Sequence, residues 1–72
     1  MSRLAGISGR RAVNAFERAG FHAGQPEGSP VTLKKPGSPP WVIPLHREVS
    51  PYLLRSQIRR AHLTEEEFLK LL

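Results

Sequence analysis

The hydrophobic period of this chain changes twice, from helical to strand-like near residue 21 and back to helical near residue 50. A chain with that order of periods must bury one face of a small sheet under helices, because neither element hides its apolar side alone. The middle region holds three short β-type runs, at residues 21–24, 31–35 and 41–45, separated by Gln25-Pro26-Glu27-Gly28 and by Pro36-Gly37-Ser38-Pro39-Pro40. Both separators are turn chemistry, so the runs read as a three-stranded antiparallel meander. Directly opposed residues share a face. Pairing Leu33 with Ile43, Val31 with Leu45 and Phe21 with Leu33 therefore gathers the apolar residues on one side. His22, Thr32, Lys34, Val42, Pro44 and His46 are left on the other. Pro44 has no N–H for a ladder, which assigns the third strand to an edge and the second to the middle.

Helix signals flank the meander. Ser8 is a capping residue and Gly20 a stop, and between them Ala12, Phe16 and Ala19 recur on one face with Val13 beside them. Arg10, Arg11, Asn14, Glu17 and Arg18 take the wet side. Ser50-Pro51 opens a second helix, with Leu54, Ile58 and Ala61 on one face and Arg55, Arg59 and His62 on another. Thr64 and Glu67 form a capping box for a short third helix, and Phe68, Leu71 and Leu72 return from it to the core. Glu65, Glu66 and Glu67 lie in its first turn, where the helix dipole favours acids. The expected order is α-β-β-β-α-α, an α+β domain over residues 1–72 with its helices packed on one face. The first few residues are expected to fray.

Composition narrows the function. A chain of 72 residues buries only about 60% of its unfolded surface, so its core is small. No cysteine is present, and His22, His46 and His62 show no zinc-ligand spacing, so neither metal nor cofactor is expected. The apolar runs fall far short of the ~20 residues of a membrane helix, and there is no apolar signal-peptide core, which suggests a cytoplasmic location. Eleven Lys and Arg against six acids leave a net charge of +5, and eight of the eleven are arginine. Arginine suits phosphate, so nucleic acid is the favoured partner over the alternative of an ordinary solvated basic surface.

Five blocks in order now carry a resemblance. They are Gly6-Ile7-Ser8-Gly9-Arg10, then Glu17-Arg18-Ala19-Gly20-Phe21, then Gly28-Ser29, then Val42-Ile43-Pro44-Leu45-His46, and finally Leu54-Arg55-Ser56-Gln57-Ile58-Arg59-Arg60-Ala61 with Leu63-Thr64-Glu65-Glu66-Glu67-Phe68-Leu69. Together they resemble the HicA toxins of bacterial toxin–antitoxin pairs over nearly the whole chain. The resemblance implies a double-stranded-RNA-binding-domain-like fold, metal-independent cleavage of mRNA, and neutralisation by a HicB antitoxin. It also implies a histidine after Gly28-Ser29, where this chain has Pro30.

That departure bears directly on chemistry. Metal-free RNA cleavage needs one group to take the 2′-hydroxyl proton and another to protonate the leaving oxygen, and imidazole titrates near enough to neutrality for either. Proline can do neither. Extending the Val31–Leu45 pairing by one step would put His46 opposite Pro30, which makes His46 the candidate catalytic substitute; a surface histidine at a strand end is the competing reading. Arg10, Arg11, Lys34, Lys35, Arg55, Arg59 and Arg60 are the candidates for phosphate contact along an RNA backbone, some of them plain solubilising charges. Trp41 alternates with Ile43 and Leu45, so core is favoured over base stacking. Three functions stay open: a HicA-like mRNA interferase, a non-catalytic RNA-binding module, and an interaction protein for an acidic antitoxin-like partner.

Overall fold

The computed structural model describes residues 3–24 and 30–72. Its elements are α1 (Gly9–Arg18), β1 (His22–Gly24), β2 (Val31–Lys35), β3 (Ser38–Ile43), α2 (Pro51–Arg60) and α3 (Glu65–Leu71). The sheet is antiparallel in the order β1-β2-β3. This is the expected α+β architecture in the α-β-β-β-α-α order, with β2 central and β3 at an edge.

The helix boundaries follow the capping chemistry. The Ser8 side chain accepts from the Arg11 N–H, the Ser50 side chain accepts from the Tyr52 N–H, and Thr64 and Glu67 exchange two hydrogen bonds of 2.9 and 3.1 Å. Both long helices end in the same motif. At α1 the Gly20 N–H donates to Glu17 O and the Phe21 N–H to Phe16 O; at α2 the His62 N–H donates to Arg59 O and the Leu63 N–H to Ile58 O. Such a pair of bonds needs a left-handed residue after the cap. Gly20 supplies it with φ 101°, while at α2 a histidine, His62, is held at φ 59°.

The core is aromatic. Phe16 stands at its centre, 6.0 Å from Phe21, 5.7 Å from Trp41 and 5.1 Å from Phe68 between ring centroids. These rings join α1 to the sheet and to α3; Phe16 meets Phe21 and Trp41 edge-to-face and Phe68 at a tilt, and aromatic pairs of this kind contribute beyond their buried area. Val31, Leu33, Trp41 and Ile43 are buried on the inner face of the sheet, as expected, while His22, Lys34 and Val42 are exposed on the outer face. The Arg18 guanidinium donates to the Leu71 carbonyl at 2.6 Å and closes the end of α3 onto α1.

Strand register differs from the expectation. Val31 pairs with Ile43 and Leu33 with Trp41, and on the other side Leu33 pairs with Ala23. Each hairpin is two residues away from the expected pairing. A slip of two preserves every face because the side-chain period is two, so the apolar pattern cannot distinguish the two registers. The turn decides. Pro36-Gly37 makes it alone, with Gly37 at φ 83°, so β3 starts at Ser38 and ends at Ile43 instead of spanning 41–45. Proline followed by a positive-φ glycine is the pattern of a type II turn.

Three prolines fit this strand for different reasons. The Val42 carbonyl accepts from the Gln57 Nε2 at 3.0 Å, so Val42 turns its backbone away from β2. Pro40 and Pro44, two residues to either side, face the same way, where a missing N–H costs no ladder bond. Pro39 faces β2, and the register shift between Leu33 and Lys35 falls there.

Residues 6–9 are tied down, whereas Met1 and Ser2, where fraying is expected, lie outside the described residues. The Gly6 N–H donates to the Glu48 carboxylate at 2.7 Å, the Val49 N–H to Ile7 O at 2.8 Å, and the Gly9 N–H to His46 O at 2.9 Å. Leu4, Ile7 and Val49 are buried between the two strips. Gly9 is required by this approach: a Cβ there would overlap the Pro44 carbonyl oxygen and come within 2.8 Å of the Leu45 Cα.

Candidate nucleic-acid interface

Pro30 is the described part of the Gly28-Ser29-Pro30 motif; Gly28 and Ser29 lie outside the described residues. It is exposed and immediately precedes β2. Continuing the observed register by one step sets Pro44, not His46, across from it. The juxtaposition of His46 with Pro30 is therefore not formed. β3 ends at Ile43, and the chain through Pro44 and Leu45 turns toward the start of α1, where the His46 carbonyl is held by Gly9. The His46 side chain is exposed beyond the end of the strand. The expectation failed because it extended a strand through a segment whose backbone is committed to the helix N-terminus.

The seven basic candidates are spread over three places. Arg10 and Arg11 lie exposed in the first turns of α1, next to the tied segment that carries His46. Lys34 projects from the outer face of the sheet, whereas Lys35 turns its ammonium over the Phe21 ring, 5.1 Å from the centroid. That contact gives Lys35 a structural role at the rim of the core. Arg55, Arg59 and Arg60 belong to α2. Arg55 is half-buried and pairs with Glu65 at 3.5 Å, so one of the three acids near the end of the chain offsets one of the candidate cations. Arg59 lies beside that pair in a hollow that also includes Ile58 and Leu63. Arg60 instead lines a second hollow with Gly37, Ser38, Pro39, Trp41 and His62.

Trp41 belongs to the core, as its alternation with Ile43 implies, and is only 8% exposed. Among the described residues its indole N–H finds no acceptor and the Oε1 of buried Gln57 finds no donor, although the Nε2 of Gln57 is bonded to Val42. Among the described residues no group of three His, Cys, Asp or Glu side chains is arranged to hold a metal ion, and no helix is long and apolar enough to cross a membrane.

Sequence reasoning missed the role of Gly9. Its signal was present: a glycine at the first helical position, directly after a good cap, weakens the helix, so its retention points to a close backbone approach.

A tied helix start, a three-stranded sheet with one open face, and arginines on two helices define a small basic α+β protein. The chain belongs to the HicA toxin family: the family model described as the HicA toxin of bacterial toxin–antitoxin matches residues 9–63, well over half of its length. Neither the curated proteins nor the solved structures contain a match to it. It is therefore a component of a toxin–antitoxin system by family.

Proposed function

We propose that this chain binds mRNA in the cytoplasm as HicA mRNA interferases do, under the control of a HicB-like antitoxin, and that Pro30 suppresses its metal-independent cleavage. The family match carries the first half of this reading. Exposed Arg10, Arg11, Arg59 and Arg60, with Lys34 on the open sheet, support RNA as the ligand. Arg on a helix and Lys on a sheet can follow a phosphate backbone by shape, which suits the expected likeness to double-stranded-RNA-binding domains. The exposed Pro30 supports the second half. Losing one general acid or base costs about 10²–10⁴ in rate.

A non-catalytic RNA-binding module is the second reading, and one observation favours it: the register sets Pro44, rather than an imidazole, directly across from Pro30. The test is cleavage of a long mRNA in EDTA by the parent protein, Pro30→His and His46→Ala. Pro30→His is expected to cleave at least about 10²-fold faster than the parent. A parent as fast as Pro30→His, but inactive as His46→Ala, would show that His46 does the chemistry and that Pro30 suppresses nothing.

A further inference from the structure

The outer face of the sheet beside the β2–β3 turn gathers a different set of groups, four residues along β2 from Pro30 and so roughly 13 Å away. His22 and Lys34 are direct cross-strand partners there, and both are exposed. Together with Lys35, Pro36, Ser38 and Pro40 they line a shallow depression of about 470 Å³. That lies within the ~300–1,000 Å³ of ligand clefts. Because the Lys35 ammonium is committed to Phe21, Lys34 supplies the available cation.

The lining has a specific chemistry. Pro36 and Pro40 offer flat apolar surface without conformational freedom to lose, His22 adds a planar ring, and Ser38 a half-buried hydroxyl. Among the described residues no acidic side chain lines it, so an anion meets no like charge from them. In the next row of the sheet, Gly24 faces Thr32 and carries no side chain, which leaves the face low toward the start of β2. A planar base beside a phosphate matches this arrangement. A duplex does not, because its base faces are stacked and hidden.

We propose that this depression binds one nucleotide of single-stranded RNA, the base against Pro36, Pro40 and His22 and its phosphate on Lys34. The inference rests on the RNA reading above and adds to it a strand class and a place, independent of whether the chain cleaves what it holds. The test measures fluorescence anisotropy with a single-stranded RNA of about 12 nucleotides and a duplex of similar length. It compares the parent, a His22→Ala/Lys34→Ala variant and an Arg10→Ala/Arg11→Ala variant. His22 and Lys34 are exposed, so their removal leaves the core intact. The expected result is a loss of about tenfold or more for His22→Ala/Lys34→Ala on the single strand and less than about twofold on the duplex. An equal loss on both RNAs overturns the subsite, since it would reflect charge alone. So does an unchanged single-strand affinity; if Arg10→Ala/Arg11→Ala weakens binding in that case, the RNA reading stands without the subsite. Failure of the parent to bind either RNA defeats the RNA reading itself. An NMR titration with adenosine 5′-monophosphate adds an independent readout: the His22 ring and Ser38 amide resonances are expected to shift, and their silence overturns the proposal.

Discussion

At the end of the sheet where β2 begins, backbone does the organising; at the end where β2 turns into β3, side chains do. The first end joins residues 6–9 to residues 46–49 by three long-range hydrogen bonds and needs a glycine at position 9 so that two main chains can approach. Pro30 lies at this end, the register sets Pro44 across from it, and exposed His46 stands just beyond the end of the strand. The second end has a two-residue turn and one strained residue, His62, yet it collects His22, Lys34, Ser38, Arg60 and His62 around two hollows. The tied end carries Arg10, Arg11 and His46 as exposed side chains, whereas the turn end gathers its polar groups around two shallow hollows.

The largest stability effect is expected where the backbones meet. Gly9→Ala forces a methyl group into the Pro44 carbonyl, and overpacking of that kind costs about 3 kcal/mol at its upper end. Chemical denaturation reads it directly. A cost below about 0.5 kcal/mol would mean that the two strips separate easily, and the contrast between the two ends would fail. At the turn end the sign reverses. His62 occupies a left-handed position that costs an L-residue about 1–2 kcal/mol, so His62→Gly should stabilise by about 0.5–1 kcal/mol after the added freedom of the unfolded chain is counted. In a domain of this size that raises the melting temperature by a few degrees, on the scale of about 4–8 °C per kcal/mol. A lower melting temperature would show that the imidazole makes a stabilising contact worth more than the strain. The smallest effect is expected at Arg55. Its pair with Glu65 is roughly 40% exposed on both sides, and exposed pairs contribute little, so Arg55→Ala should move stability by no more than about 0.5 kcal/mol. A larger loss would make α2 and α3 a charge-coupled unit, and RNA titrations of that variant would then need correction for folding.

Much of the fold was legible because it rests on local chemistry. Ser8, Ser50 and Thr64 announce three helices without reference to anything distant, and Gly20 announces one stop. The alternation of Val31, Leu33, Trp41 and Ile43 identifies the inner face whatever the register. The site was less legible. Placing His46 opposite Pro30 required an absolute register and a strand end, and neither is encoded in the apolar period. Lys35 could not be separated from Lys34 by charge, although one faces the core rim and the other the open sheet. Arg55 could not be recognised as paired, because Glu65 reaches it across a turn from another helix.

By itself, then, the sequence determined the class of fold, the three capped helices, the apolar faces, the basic balance and the absence of the motif histidine, all of which depend on residue type and short-range spacing. Only the tertiary structure decided the strand register, the docking of residues 3–9 against residues 44–50, the need for Gly9 and the gathering of His22 and Lys34 with two prolines. Those depend on where one backbone meets another, and a two-residue slip that leaves every apolar face unchanged still moves each outward-facing side chain to a new neighbour.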